Sequence, residues 1–417
     1  MSQTTPSSGA LQRNAVLIAS LLAMIIGTGS IYFLVVALKL ISSEFDWPRV
    51  VPSIAYALQY LGGGFGGIFM GYLLDRYGMG LPALSGAIMI GLGAILTSVV
   101  SEPWQLYLIY GVMMGFLGRA ALFSPLTANI TRWFEHKKST AVGIVGSGQA
   151  LSGAVWPPIF QVMFDEIGWR ETAVWYGVFV LVTMVPLVLI LKMRPPSAVG
   201  GTGAGAGKTA GATAAAPPRS LAGMSPMQMQ LTLSIASIGC CVAMSLPLAH
   251  IVSHVSDLGY DPARGAEALS VMLTCAALAS MIGVGYLGNR FGGLKAIFIF
   301  STAQAVFLAA FAFFDGLVSI YTIAALFGLG YGGILPCYPV IIREYLPAPE
   351  VGRRTGIVIL FAGGGMAIGS WLGGAVYDNT GSYDLAFLIG AAFNLANLVI
   401  IASLIARTNR TPTPAVA

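Results

Sequence analysis

Residues 115–123 read GFLGRAALF, so a permanently charged side chain, Arg119, stands inside an apolar run. A planar guanidinium grips a carboxylate with two parallel hydrogen bonds. Other polar groups sit at comparable depth in apolar runs: Thr28, Tyr32, Gln59, Tyr60, Gln149 and Tyr331. Such groups either share a bound anion or bond to a neighbouring helix, because a polar group at lipid depth needs a partner. His250 and His254 are four residues apart, hence on one helix face. Histidine changes charge near neutral pH, which admits a proton-carrying role for His250. No third ligand stands at a matching spacing, so no metal site is expected. Cys240, Cys241, Cys275 and Cys337 all lie in apolar segments and are expected as small core side chains.

The elements that hold these residues follow from composition. The chain has 417 residues, 56% hydrophobic and 9% charged, where soluble globular chains carry roughly 25% charged residues. Its apolar residues come in runs of about 20, long enough to cross a bilayer core of roughly 30 Å. The reading is an all-α integral membrane protein with twelve transmembrane helices. They are placed at 14–40, 50–74, 81–100, 105–131, 139–164, 172–191, 229–255, 266–288, 294–314, 318–343, 355–378 and 383–406. The first run is too long for the apolar core of a signal peptide, about 7–15 residues, and reads as a retained first helix. A Gly-, Ala- and Pro-rich stretch separates the sixth helix from the seventh and cannot form a packed core. The expected division is an N-terminal six-helix bundle (1–191), a flexible cytoplasmic linker (192–228) and a C-terminal six-helix bundle (229–417).

Charge sets the orientation. With both termini cytoplasmic, sixteen of the 21 Lys and Arg residues fall inside and four outside, Arg119 being the remaining one. Twelve of the 16 acidic residues fall outside and none lies deep in a helix. The net charge of +5 thus reports topology, and no nucleic-acid partner is read from it.

The two halves repeat. PLTANITRWF (125–134) aligns with PCYPVIIREY (336–345), Pro125 on Pro336 and Arg132 on Arg343. GYLLDRYGMGL (71–81) aligns with GYLGNRFGGLK (285–295). Parallel repeats of this kind place the substrate at their interface, near the midplane. The expected architecture is therefore two pseudo-symmetric bundles around a central cavity.

With twelve helices as six plus six, the linker, and the loop pattern at Gly71, Asp75, Arg76 and Gly78, the chain resembles the major facilitator superfamily over essentially its whole length. The resemblance implies that this loop, with Asn289 and Arg290 in the second copy, forms a cytoplasmic charge latch remade during alternating access. Three stretches are most similar to the monocarboxylate and oxalate–formate transporter branch: FDWPRVVPSIAY, RWFEHKKSTAVGIVGSGQALSGAVWPPIF and SLPLAHIVSHVSDLGY. The branch's helix-8 arginine would stand about four residues before Gly285, where this chain has Ser280 and Met281. The helix-11 lysine of the oxalate–formate branch is missing too, since 355–378 contains no lysine.

Arg119 fills that gap by position. It is the fifteenth residue of helix 4, roughly 20 Å from either end, where an unpaired guanidinium costs several kcal/mol. No buried acid is available as partner, so the substrate's carboxylate most simply supplies the negative charge. The alternatives are a structural arginine bonded to carbonyls, waters or tyrosine hydroxyls, and a conformational switch. The expected substrate-binding set is Arg119, Tyr331, Thr28, Tyr32, Gln149, Tyr60 and His250.

The functional expectation is a secondary transporter of a small organic anion, a monocarboxylate foremost, by proton symport or anion exchange. A drug or cation exporter and a neutral-solute carrier of the same fold are the alternatives. The exporter's Gly-Pro motif is missing from GSGQALSG on helix 5. TGAGAGKT (202–209) nearly matches a phosphate-binding loop, but Thr202 stands where Gly is required and no strand precedes it. ATP, cofactors and enzymatic activity are not expected. The partners are then a small carboxylate, membrane lipids and a possible coupling proton, and the compact loops point to a bacterial inner membrane.

Overall fold

The computed structural model describes residues 8–134, 138–193, 224–346 and 350–408, and among them the regular structure is helical. The first four elements are α1 (Ser8–Phe45), α2 (Val50–Tyr77), α3 (Gly80–Thr97) and α4 (Pro103–Trp133). A 54-residue helical stretch, Lys138–Leu191, follows, broken at Gly168 by φ 80° and ψ 161°. We name its arms α5 (138–167) and α6 (169–191). Then come α7 (Pro226–Asp257), α8 (Pro262–Gly288), α9 (Gly293–Ala310), α10 (Leu317–Tyr345), α11 (Val351–Thr380) and α12 (Asp384–Thr408). The near-match at 202–209 and most of the expected linker lie outside the described residues.

Among the described residues, ten helices are long and apolar enough to cross a membrane, by length and composition. That tally takes 141–191 as one span and omits α2, whose 28 residues include Asp75 and Arg76 near the end. Large apolar side chains such as Leu189, Val318 and Val399 are 73%, 80% and 70% exposed. An apolar surface this extensive, on helices of this length, is favoured against lipid. The chain is an integral membrane protein.

Helix ends depart from expectation by a few residues throughout, and two departures stand out. α1 begins at Ser8 and ends at Phe45, past the expected 14–40, because helical hydrogen bonding does not stop where the apolar run does. The expected loop at 165–171 is reduced to the one break at Gly168.

The backbone repeats itself as the sequence does. Among the described residues, six have positive φ, and they fall into three pairs. Asp46 (54°) and Gly259 (87°) follow α1 and α7; Gly78 (80°) and Gly292 (81°) follow α2 and α8; Gly168 (80°) and Gly381 (76°) follow α5 and α11. The separations are 213, 214 and 213 residues. Left-handed backbone is disfavoured for residues with a Cβ, which is why five of the six are glycine.

Within the first half α1 packs on the 138–191 stretch and α2 on α4; within the second half α7 packs on α11 and α12, and α9 on α12. The halves meet where α2 lies against α11 and where α5 lies against α8. The first-half core is aromatic, with Phe33, Phe160, Phe164 and Tyr176 in edge and stacked contacts. The second-half core carries a buried amide ladder in which Asn394 Nδ2 donates to Gln304 Oε1 at 3.0 Å and Asn397 Nδ2 donates to Asn394 Oδ1 at 3.0 Å.

Candidate functional site

The site is built around an irregularity in α4. The segment is α-helical over Pro103–Leu108, widens to a π-helix over Ile109–Gly118, and tightens to a 3₁₀ turn over Arg119–Ala121 before resuming at Phe123–Trp133. Such departures from α-helix recur at functional positions. This stretch packs closely against α2. A Cβ on Gly62 would run into the Gly111 carbonyl, and a Cβ on Gly115 would come within 3.1 Å of the Gln59 backbone. Glycine at these positions is what lets the two helix backbones approach this closely.

Arg119 leaves this seam half-buried and passes Gly63. Its guanidinium carbon lies 4.0 Å from the centre of the Tyr60 ring on α2. No hydrogen bond or ion pair joins the guanidinium to another described residue. The group's five N–H donors are thus without a described protein acceptor, beside the Tyr60 phenol. Tyr56, one turn before Tyr60, meets it hydroxyl to hydroxyl at 3.4 Å.

The other tyrosines converge on the same place. Tyr32 of α1 is buried, donates to the Gln149 backbone carbonyl at 3.4 Å, and lies within electrostatic reach of Tyr60 and Arg119. Tyr331 of α10 is buried and lies within reach of Tyr32 and Tyr60. Sequence depth alone had marked Arg119, Tyr32, Tyr60 and Tyr331, and the structure brings these four together. Gln149 joins through its backbone carbonyl, with its side chain half-buried. Thr28 is buried one turn from Tyr32. Tyr56 was missed, although its four-residue spacing from Tyr60 is a readable signal.

His250 is placed elsewhere. It is fully buried on α7, its Nε2 is 2.9 Å from the Ser370 carbonyl, and its ring stacks on Tyr383 at 4.9 Å. These contacts tie it to α11 and the turn before α12, with none to the tyrosine–arginine cluster. Gln59 bonds to Ser30 at 3.0 Å and Trp156 to the Ile25 carbonyl at 2.9 Å, so both are taken up in helix packing.

The loop after α2 closes on its own half. Asp75 pairs with Arg132 at the end of α4 (2.7 Å), and Arg76 donates to the Tyr72 hydroxyl (2.8 Å). Gly71 has open space around it and Gly78 supplies the left-handed turn. In the second copy Arg290 donates to the Tyr286 hydroxyl at 2.8 Å, repeating the Arg76–Tyr72 contact 214 residues on. The Asn289 side chain lies outside the described residues.

Chemically the cluster offers a fixed positive charge, several hydroxyls and no acid. It is suited to hold an anion and lacks a nucleophile with an adjacent base.

The family model described as Major Facilitator Superfamily matches residues 18–339 and 231–417. The chain is similar to monocarboxylate transporter 13 of Rattus norvegicus, 28% identical over 362 residues, covering 85% of this chain and 79% of that protein. It is 26% identical over 367 residues to the Bos taurus protein of the same name, with the same coverage of each chain. It is also similar to an agnestins efflux protein of Paecilomyces divaricatus, 22% identical over 340 residues, covering 81% of this chain and 74% of that one.

Proposed function

The chain belongs to the major facilitator superfamily, whose members are transporters rather than enzymes, and on that premise we propose that it carries a small organic anion, a monocarboxylate foremost. The observation that carries the reading is the Arg119 guanidinium, half-buried midway along α4 with a tyrosine ring beneath it and, among the described residues, no carboxylate paired with it. A charge at that depth is stabilised when a counter-ion enters. In the proposal the carboxylate takes two hydrogen bonds from Arg119, while Tyr60, Tyr32 and Tyr331 offer hydroxyls and Thr28 and Gln149 line the approach. The name of the mammalian relatives supports the substrate class.

The proposed architecture is twelve crossings, α1 to α12, as bundles of residues 1–191 and 229–417 around a central cavity. The Gly168 break and the three positive-φ pairs support it. Both termini are proposed to be cytoplasmic, from the distribution of Lys and Arg. The relatives compared are from animals and fungi, so they lend nothing to a bacterial inner membrane. Proton symport and anion exchange both remain compatible with a site that contains no acid.

The fungal efflux relative favours a second reading, export of a larger organic molecule. A thermal-shift screen of detergent-purified protein separates the two, since a ligand that binds the native state raises its stability. The screen covers small carboxylates, lipophilic cations and neutral solutes, with Arg119→Gln beside wild type. The proposal expects one carboxylate class to stabilise wild type and not the folded Arg119→Gln. Equal response of the two proteins, or response to cations or neutral solutes alone, rejects it.

A further inference from the structure

One end of the molecule, where α1 stops and α2 starts, is tied shut between the halves. Arg49 caps α2 and is 8% exposed. Its Nη2 donates to Asp257 Oδ1 at 2.7 Å, and its Nη1 donates to the second oxygen of Asp257 and to the Tyr383 hydroxyl at 2.8 Å. The guanidinium carbon lies 3.6 Å above the centre of the Tyr377 ring. Lys39, near the end of α1, reaches the same Asp257 at 2.9 Å and donates to Ser256 Oγ at 2.8 Å. In the other direction the Asp378 carboxylate accepts the N–H groups of Arg49 (2.8 Å) and Val50 (2.9 Å), the free donors at the start of α2. An acid at a helix N-terminus also meets the positive end of its dipole. One layer deeper, Ser370 Oγ donates to the Ser53 carbonyl at 3.0 Å.

Every one of these bonds joins the first half to the second. Two positive and two negative side chains are used, so the set balances. Burial opposes the charge on Arg49, yet its bonds to Asp257 and Tyr383 prevail and hold its pKa above the ordinary arginine value. At the opposite end, the Asp75–Arg132 and Glu350–Arg354 pairs each stay within one half. Among the described residues, the halves are thus bonded by ion pairs across this mouth, while the Asp75–Arg132 and Glu350–Arg354 pairs at the other end do not cross.

We propose that Lys39, Arg49, Asp257 and Asp378 form a charge latch that closes this mouth of the transport path, and that its release opens that mouth. The inference needs an alternating-access transporter and is independent of the substrate class. Opening would separate α1 and α2 from α7 and α11, so all four charges must then be solvated apart. The closed form is favoured because its bidentate pair and its helix cap are made together. Removing one carboxylate leaves Arg49 buried without its partner, which disfavours the closed state selectively.

The test uses Ser53→Cys as reporter in the otherwise intact chain. Ser53 is 0% exposed and lies directly beneath the latch. Native Cys240, also 0% exposed in the second-half core, reports on the fold. Maleimide labelling of detergent-purified protein is followed at each cysteine by peptide mass spectrometry. With the latch intact, position 53 is expected to label slowly. Asp257→Asn and Arg49→Gln are each expected to raise its labelling rate at least about tenfold while Cys240 stays protected. Unchanged labelling at 53, or fast labelling with the latch intact, overturns the proposal. If a single variant also exposes Cys240, Lys39→Gln decides, since it removes one latch charge and leaves the bidentate Arg49–Asp257 pair in place. Faster labelling at 53 with Cys240 protected supports the latch, and unchanged labelling at 53 overturns it.

Discussion

The Arg119 guanidinium lies face-on over Tyr60, 4.0 Å from ring centre to guanidinium carbon, and the Tyr60 hydroxyl meets that of Tyr56 at 3.4 Å. The ring therefore does two things: its negative face attracts the cation, and its position limits where the five donors can point. A cation over an aromatic face gains about 0.5–2 kcal/mol, more when desolvated.

Tyr60→Leu removes that face and is expected to weaken carboxylate binding roughly 2- to 30-fold, the range those energies convert to. Tyr60→Phe keeps the face and loses only the Tyr56 contact and one hydroxyl, so its affinity is expected to stay closer to wild type. Calorimetric titration of both variants with the ligand found by thermal shift checks this. If Phe and Leu lose affinity equally, the hydroxyl matters and the ring face does not.

How much of this was readable beforehand depends on range. Helices were legible because a bilayer demands long apolar runs, and the depth of Arg119, Tyr32, Tyr60 and Tyr331 followed from counting along them. Their convergence was readable only through the repeat, which matches Tyr331 to Arg119 within one residue. The π-to-3₁₀ passage at Gly118–Arg119 was not readable, because no proline, cap or break in the apolar pattern marks it in the sequence. Arg49 and Asp257 looked like ordinary loop and helix-end charges. Their pairing spans 208 residues, and nothing in a single sequence reports such a contact. His250 is turned to Ser370 and Tyr383, and its contact with Ser370 spans 120 residues, a range that a single sequence does not report.

The α2–α4 seam gives a stability prediction. A methyl group at Gly62 would collide with the Gly111 carbonyl, an atom that cannot rotate away, whereas Gly67, on the same helix, has nothing within 4 Å. Overpacking of this kind costs about 1–3 kcal/mol and sometimes more. Gly62→Ala is expected to lower the detergent unfolding temperature and, because α4 carries Arg119, to weaken ligand stabilisation too. Gly67→Ala should do neither. Comparable melting curves for the two variants would show that the seam yields.

The Asp75–Arg132 pair is short, but both side chains are solvated, at 75% and 41% exposure. Exposed ion pairs contribute about 0–1 kcal/mol. Asp75→Asn is thus expected to leave the unfolding temperature nearly unchanged in physiological salt. Any loss of transport in that variant then belongs to the conformational cycle and not to folding, and measuring both on one preparation separates them. A large drop in unfolding temperature would instead make the pair a structural tie.

The three positive-φ pairs contain one mismatch, and it can be tested by exchange. Asp46 holds φ 54° where its counterpart 213 residues later, Gly259, holds φ 87°. Left-handed backbone costs a residue with a Cβ roughly 1–2 kcal/mol, with Asp among the more tolerant. Glycine avoids that strain but gives up more chain entropy on folding. Asp46→Gly is therefore expected to be neutral or to stabilise by up to about 1 kcal/mol, since the strain it relieves exceeds the added entropy loss. Gly259→Ala should lose up to about 1 kcal/mol, because the space around it is open and the backbone strain it adds exceeds the chain entropy it saves. Thermal unfolding of the two variants at matched detergent and salt tests both signs. Opposite signs would mean that the two turns, alike in backbone, share one conformational preference. A clear loss in Asp46→Gly would mean that the aspartate stabilises its turn through its side chain and that the repeat does not extend to the energetics of this loop.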